Sequence, residues 1–435
     1  MTEKLLTPLL QKLDEKAAKY SLLDKYAAGE QPLSFLSPSA REALGNRLTA
    51  VSVNVPRLLV ESMAERLRIL DFTGIDVWPL WLANDLDQVA GLVHREALTL
   101  GDAYCTVWAD SQGKPLVSAE SARQVSMLTD PGTRQTVAAL KRWETDRTTE
   151  AVLYGPDTIT RLRAEQTGAT VAGFRTVEVI ANPLGVVPVV RFKNGSRLLD
   201  DGVSEMRDVL TLTDALVKLM SDMLVASEYT ARPRRWASGL ELEESEVLDA
   251  EGNPTGEVEV VNPIGESDRL MVNEQADGKF GQLPGSDLAG YENGINIIMR
   301  QIAAVSGLPE HSLGIGSDNP TSADSIRASE AALTAKAEAR QATFGRSWEA
   351  VVRLMVAVRD GVDPTGLQAQ VRWADAATRS TAQEADAVTK LFTSGLLPAS
   401  VALARLGYST DEIDAIRIAR RAEAIDNFPI AGALR

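Results

Sequence analysis

Between Gly314 and Gly361 the chain reads GIGSDNPTSADSIRASEAALTAKAEARQATFGRSWEAVVRLMVAVRDG, and this segment constrains the fold more than any other. A loop of Gly, Ser, Asp and Asn runs into Pro320, and no further proline occurs before Asp360. Thr321 to Asp324 fits a capping box, in which a hydroxyl and a carboxylate satisfy free N–H groups of the first turn. From there to Asp360 the pattern predicts one helix of roughly 39 residues, about 58 Å at about 1.5 Å per residue. Helices in globular proteins average only about 11–12 residues. One so long is hard to cover inside a small domain. It predicts an elongated subunit or a ring of copies.

The two halves of that helix require different neighbours. Phe344, Trp348, Val351, Met355 and Val358 recur at spacings of three and four, which predicts one broad apolar stripe. The first half carries Ala328, Ala332, Ala335, Ala339 and Ala342 instead. A face of small residues lets another backbone approach closely. It fits either a large helical domain or packing against a second copy.

The chain has 435 residues, enough for about two to four domains. Asp and Glu (60) outnumber Lys and Arg (45), giving a net charge of −15. Gripping nucleic acid needs clustered cations, which this balance opposes. An acidic chain can still surround DNA without adhering to it. The single cysteine, Cys105, excludes an intramolecular disulfide and reads as a small buried residue in a strand. The start, MTEKLLTPLLQKLDEK, reads as an amphipathic helix with both charge signs and not as a secretion signal. No apolar run reaches the ~18 residues of a membrane span. A reducing cytosol, or a particle assembled there, is the expected setting.

Residues 1–70 read mostly as helices, with stripes at Leu5, Leu9, Leu10 and Leu13 and at Val55, Leu58, Leu59, Met63 and Leu67. Residues 80–98 predict one helix with Leu82, Leu86, Val89, Val93 and Ala97 on a face. From Gly101 to about Lys193 the period becomes two, with strands expected at 103–108, 151–154, 159–164 and 186–192. The expectation is an antiparallel layer packed on the preceding helices, an α+β arrangement. Helix returns from Ser204 to about Ala231, where Arg232-Pro233 stops it. A second helix runs from about Leu288 to Gly307-Leu-Pro309, and the two bracket an insertion of short strands and turns. Side by side, they would display that insertion at their far end. Val371-Arg-Trp373 reads as a strand and roughly 380–425 as a helical cluster.

Catalytic chemistry is absent from the pattern. His94, beside Arg95 and Glu96, is expected at the surface, and His311 belongs to no H-E-x-x-H motif. There is no P-loop and no G-x-S-x-G elbow, and no carboxylate pair stands out by spacing. No enzyme, cofactor or metal is expected. One basic-aromatic cluster, Arg232, Arg234, Arg235 and Trp236, could meet phosphate or an acidic protein, or its arginines could pair with the glutamates at 241–246.

Ordered landmarks then carry a resemblance. They include Asp130-Pro131-x-Thr133, Ala138-Ala-Leu-Lys-Arg-Trp143, Leu153-Tyr154-Gly155-Pro156-Asp157 and Pro188-Val-Val-Arg-Phe-Lys-Asn194. Later ones are Ile302-Ala-Ala-Val-Ser-Gly-Leu-Pro309, Asn319-Pro-Thr-Ser-Ala-Asp-Ser-Ile326, Lys336-x-Glu338 to Phe344, and Ala385-Asp-Ala-Val388 to Leu406-Gly407-Tyr408. In order and spacing the chain resembles the portal proteins of tailed bacteriophages, in the siphophage branch.

The resemblance implies a portal fold: a wing at 1–202, stem helices at 203–231 and 286–309, a small α/β clip at 232–285, a tunnel loop at 310–320, a long helix at 321–360 returning to the wing, and a connector with a short helical crown at 361–435. It implies a homo-oligomeric ring, typically a dodecamer, at one capsid vertex of the virion, assembled in the host cytoplasm. A separate terminase large subunit would drive double-stranded DNA through the channel without sequence specificity. Major capsid, scaffolding and head-completion or adaptor proteins would be partners, and no membrane would be involved. Gly316, Ser317, Asp318, Asn319 and Pro320 would form the tunnel loop, and Arg232, Arg234, Arg235 and Trp236 would be docking candidates. Two other readings remain: a virion assembly or adaptor protein without a channel, and a hydrolase using paired carboxylates.

Overall fold

The computed structural model describes residues 2–31, 53–195, 197–198, 201–231, 235–239, 243–248, 254–261, 278–282, 288–315, 323–377, 381–408 and 410–426. Helix and strand are mixed, as the change of period predicts.

Helix α1 (Thr2–Ala28) lays Leu6, Leu9, Leu10 and Leu13 on one face of an antiparallel five-stranded sheet. That sheet runs in the order β4 (Val125–Thr129), β5 (Thr136–Glu144), β6 (Thr149–Tyr154), β7 (Thr158–Ala164) and β8 (Arg175–Ala181). The leucines meet Ala138, Leu140, Ala151, Leu153 and Leu162, and the small alanines let the helix settle close. Polar contacts fix its position: Ser126 Oγ donates to the Leu9 carbonyl (2.8 Å), and Arg142 pairs with Asp14 (2.7 Å).

The main core lies beside this layer. Helices α2 (Val55–Ala64), α3 (Trp78–Ala83) and α4 (Leu86–Leu100) pack against a second antiparallel sheet. Its order is β3 (Pro115–Ser121), β2 (Asp102–Ala109) and β9 (Val189–Lys193). The single helix expected over 80–98 is two. Asn84 ends α3: its amide donates to the Leu80 and Pro115 carbonyls (2.9 and 3.1 Å) and its Oδ1 accepts the Val117 N–H (2.9 Å). Asp85 follows in the left-handed region (φ 53°), and Leu82, expected on the buried face, is exposed.

Strand β2 is buried along most of its length, Cys105 included. At its start, Gly101 and Gly202 cross so closely that a Cβ on Gly202 would stand 1.9 Å from the Gly101 carbonyl oxygen. Beside the crossing, fully buried Asp102 accepts a two-pronged pair from Arg191 (2.7 and 2.8 Å). Arg191 also reaches Asp201 (3.2 Å), which Lys16 of α1 approaches at 2.8 Å. The three-stranded sheet and α1 are thus tied at one point.

The long helix is α7 (Ala323–Asp360). The beginning of the expected capping box, Thr321, lies outside the described residues. Its second half is buried nearly all round, with Phe344, Trp348, Val351, Val352, Leu354, Met355, Val356 and Ala357 in the core. Strands β1 (Ile69–Thr73) and β14 (Gln370–Trp373) pair antiparallel and pack beside it. In the first half Leu333 and Ala337 are buried, while Ala328, Ala332, Ala335, Ala339 and Ala342 are all exposed. The last described residues form helices α8 (Thr381–Thr393), α9 (Ala399–Arg405) and α10 (Thr410–Asp426).

His94 corrects an expectation. It is fully buried, stacked on Phe344, with its Nε2 accepting the indole N–H of Trp348 at 2.8 Å. Burial drives its pKa down to about 3, against a smaller upward pull from the Leu67 carbonyl. It is a neutral core histidine whose position on α4 faces α7.

Candidate functional site

Helices α5 (Leu210–Ala231) and α6 (Ala289–Ser306) leave the core together as an antiparallel pair. Apolar residues at helical spacing hold them: Leu216, Val217, Ile302 and Ala303 are buried near the core. Farther out Met220, Met223, Leu224, Ile295 and Ile298 are only half-buried and Ile297 is exposed, as is Val305 at the inner end. Gly294 permits the close approach, since a Cβ there would meet Leu219 at 3.2 Å. Thr213, Ser221 and Thr230 turn their hydroxyls onto carbonyls four residues earlier (2.8 Å each), so these polar groups need no external partner. One copy of the chain leaves much of this pair's apolar surface uncovered.

At the outer end the chain returns on itself. Strand β10 (Arg235–Ser238) pairs with β13 (Lys279–Gln282), and β11 (Glu243–Leu248) with β12 (Pro254–Val261). Trp236 lies opposite Gly281, and a Cβ on that glycine would sit 2.4 Å from the indole, so only glycine accommodates the ring. Trp236 and Phe280 are both exposed, on opposite faces of the two-stranded ribbon. Arg235 is paired through its backbone with Gln282. Arg232 and Arg234 lie outside the described residues.

The inner end is a joint of charges. Glu205, with a side chain only 7% exposed, receives Arg340 at 3.0 Å and Lys336 at 4.0 Å. Asn194, just after β9, donates to both Glu205 (3.2 Å) and the Val203 carbonyl (2.8 Å). Lys336 also donates to the Ser306 carbonyl at the end of α6 (2.7 Å), where the helix dipole favours a cation. Nearby, Tyr26 of α1 donates to Asp214 of α5 at 2.8 Å. Burial first, and that carboxylate second, push the phenol up to about 12, so it remains a donor.

From this joint the chain enters a 3-10 turn, Glu310–Leu313, that leads toward the polar loop. Leu313 and Ile315 are buried, and the Ile315 N–H donates to the Glu310 carbonyl (3.1 Å). Glu330 faces the turn, 3.4 Å from Arg66 and 4.0 Å from His311. The expected loop residues Gly316, Ser317, Asp318, Asn319 and Pro320 lie outside the described residues, so the structure places only what precedes and follows them. The Glu205 joint was not anticipated from sequence. Its one local signal was a pair of cations, Lys336 and Arg340, four apart on a helix.

Among the described residues no cluster of His, Cys, Asp or Glu could hold a metal ion, and no helix is long and apolar enough to cross a membrane.

Comparison with known proteins completes the picture. The portal protein of Mycobacterium phage L5 is 31% identical over 392 residues, spanning 84% of this chain and 78% of that protein. The portal protein of Mycobacterium phage D29 is 32% identical over 392 residues with the same coverage. Among solved structures, the neck of a native gene transfer agent particle computed with C12 symmetry aligns over 86% of this chain and 95% of that one, at 15% identity and a TM-score of 0.46. Residues 10–426 match the family described as phage portal protein, SPP1 Gp6-like, and the chain belongs to that family.

Proposed function

We propose that this portal protein works as a closed ring of identical subunits around an axial channel, through which a separate terminase motor drives double-stranded DNA and through which DNA later leaves. As a portal protein it is a non-enzymatic structural component of the virion at the capsid vertex. The observation that carries the channel reading is the α5–α6 pair. Half-buried and exposed apolar residues along a two-helix projection, in a chain of net charge −15, fit a surface completed by neighbouring copies.

In this reading residues 1–202 form the wing, 203–231 and 286–309 the stem, and 232–285 the clip. Residues 310–320 form the tunnel loop, 321–360 the long helix returning to the wing, and 361–435 the connector and crown. Twelve subunits are proposed. The terminase large subunit and head-completion proteins would dock at the clip, where Trp236 is exposed. Arg232, Arg234 and Arg235 would supply its cations. Capsid and scaffolding proteins would surround the wing, with assembly in the host cytoplasm. The exposed alanine face of α7 would meet the next subunit. A ring of acidic walls discourages DNA from adhering while it moves.

Electron microscopy of the purified protein, with its mass in solution, tests this. Closed rings with a hole wide enough for duplex DNA are the expected result. Open filaments, or particles inside capsids with no axial opening, would refute the channel and favour an adaptor that only joins virion parts.

A further inference from the structure

At Glu205, just before α5, contacts to α4, to the end of β9 and to the long helix converge, and Lys336 extends them to α6. The Glu205 backbone N–H donates to the Leu98 carbonyl at the end of α4 (2.8 Å), which fixes it to the wing. Asn194 holds one side of its carboxylate, and Arg340 and Lys336 of α7 hold the other. Lys336 carries the connection to the last turn of α6 through the Ser306 carbonyl. Ile302, Ala303 and Leu308, buried at the inner end of α6, exclude water but specify no angle between elements. A buried carboxylate with named partners does specify one.

We propose that Glu205 is a positioning residue for DNA passage: through Arg340 and Lys336 it sets the angle at which the α5–α6 pair leaves the wing. The inference rests on the channel reading above. Arg340 gives it further support, because its Nε is buried without a partner. That cation is held in place for Glu205 despite an incomplete set of hydrogen bonds, and removing the carboxylate leaves it half-buried and uncompensated.

The test uses assembled rings and a phage carrying the same substitution. In rings of Glu205→Gln, amides at 302–315 are expected to exchange about tenfold faster or more, the scale of losing a buried charged hydrogen bond. Amides of β2 at 102–107 should be unchanged, and rings should form in normal yield. DNA packaged per capsid should fall. Arg340→Gln should reproduce both effects, and the double variant should cost less than the two single ones added together, since the two residues share a contact. Glu150→Gln, which breaks an ion pair with Arg163 far from the joint, should leave exchange and packaging unaltered. If Glu205→Gln is insoluble, Arg340→Gln carries the same test, because it breaks the contact with Glu205 and leaves the Lys336 bond to the Ser306 carbonyl in place.

Unchanged exchange at 302–315, or equal acceleration throughout the chain, overturns the inference. So does faster exchange with full packaging, which would make Glu205 a purely structural tie. Failure of the channel reading itself would appear separately, as an absence of rings from the unsubstituted protein.

Discussion

Lowering the pH from 7 to 5 should destabilise the main core through a single histidine. In the folded chain His94 is neutral with a pKa near 3, because burial opposes its charge and Arg95 beside it adds to the downward pull. Unfolded, the same imidazole titrates at the ordinary 6.5. Between these values the unfolded state binds a proton that the folded state refuses, so stability falls as pH falls. The full stability is present above the unfolded pKa. At pH 5 the imidazole lies about 1.5 units below that pKa, and at about 1.4 kcal/mol per unit the loss is about 2 kcal/mol. Denaturant unfolding followed by tryptophan fluorescence reads it directly, because Trp348 is itself the partner. His94→Gln keeps an acceptor for the indole but cannot titrate in this range, so its stability should change much less between the two pH values. An equal loss in the variant and the unsubstituted protein would refute the assignment of a neutral buried histidine.

Three other outcomes are expected. Gly202→Ala places a methyl group against the Gly101 carbonyl and should cost about 3 kcal/mol or prevent folding, read by thermal unfolding. Ala335→Leu with Ala339→Leu should leave the monomer's helical circular dichroism intact, since both positions are exposed, but should block ring formation on size-exclusion chromatography. Asp318→Lys should slow or jam packaging while rings still form, and normal DNA yield per capsid would count heavily against a role for the polar loop.

Much of the architecture was legible in the chain itself. The α7 segment, the leucine stripe of α1, strand 371–373 and the helices bracketing the insertion all rest on local periodicity, which backbone geometry imposes whatever the surroundings. The alternation that marks a strand was present at 151–154 and 159–164, which have one buried face. It was absent from β8, exposed on nearly every residue, and obscured in β5, whose buried residues are consecutive. Those strands exist because neighbours complete their hydrogen bonds, and such pairing leaves no period of its own.

The portal family was readable from ordered landmarks, but the contacts at the joint were not. His94 looked like a surface residue among charged neighbours because Trp348, its partner, lies 254 positions away. Glu205 looked like an ordinary carboxylate before a helix, although it gathers Asn194, Lys336 and Arg340 around itself. Local sequence determines which segments coil or extend, because those preferences act over a few residues. Which polar groups are enclosed together is decided only when distant elements exclude water from between them, and that is a property of the assembled tertiary structure.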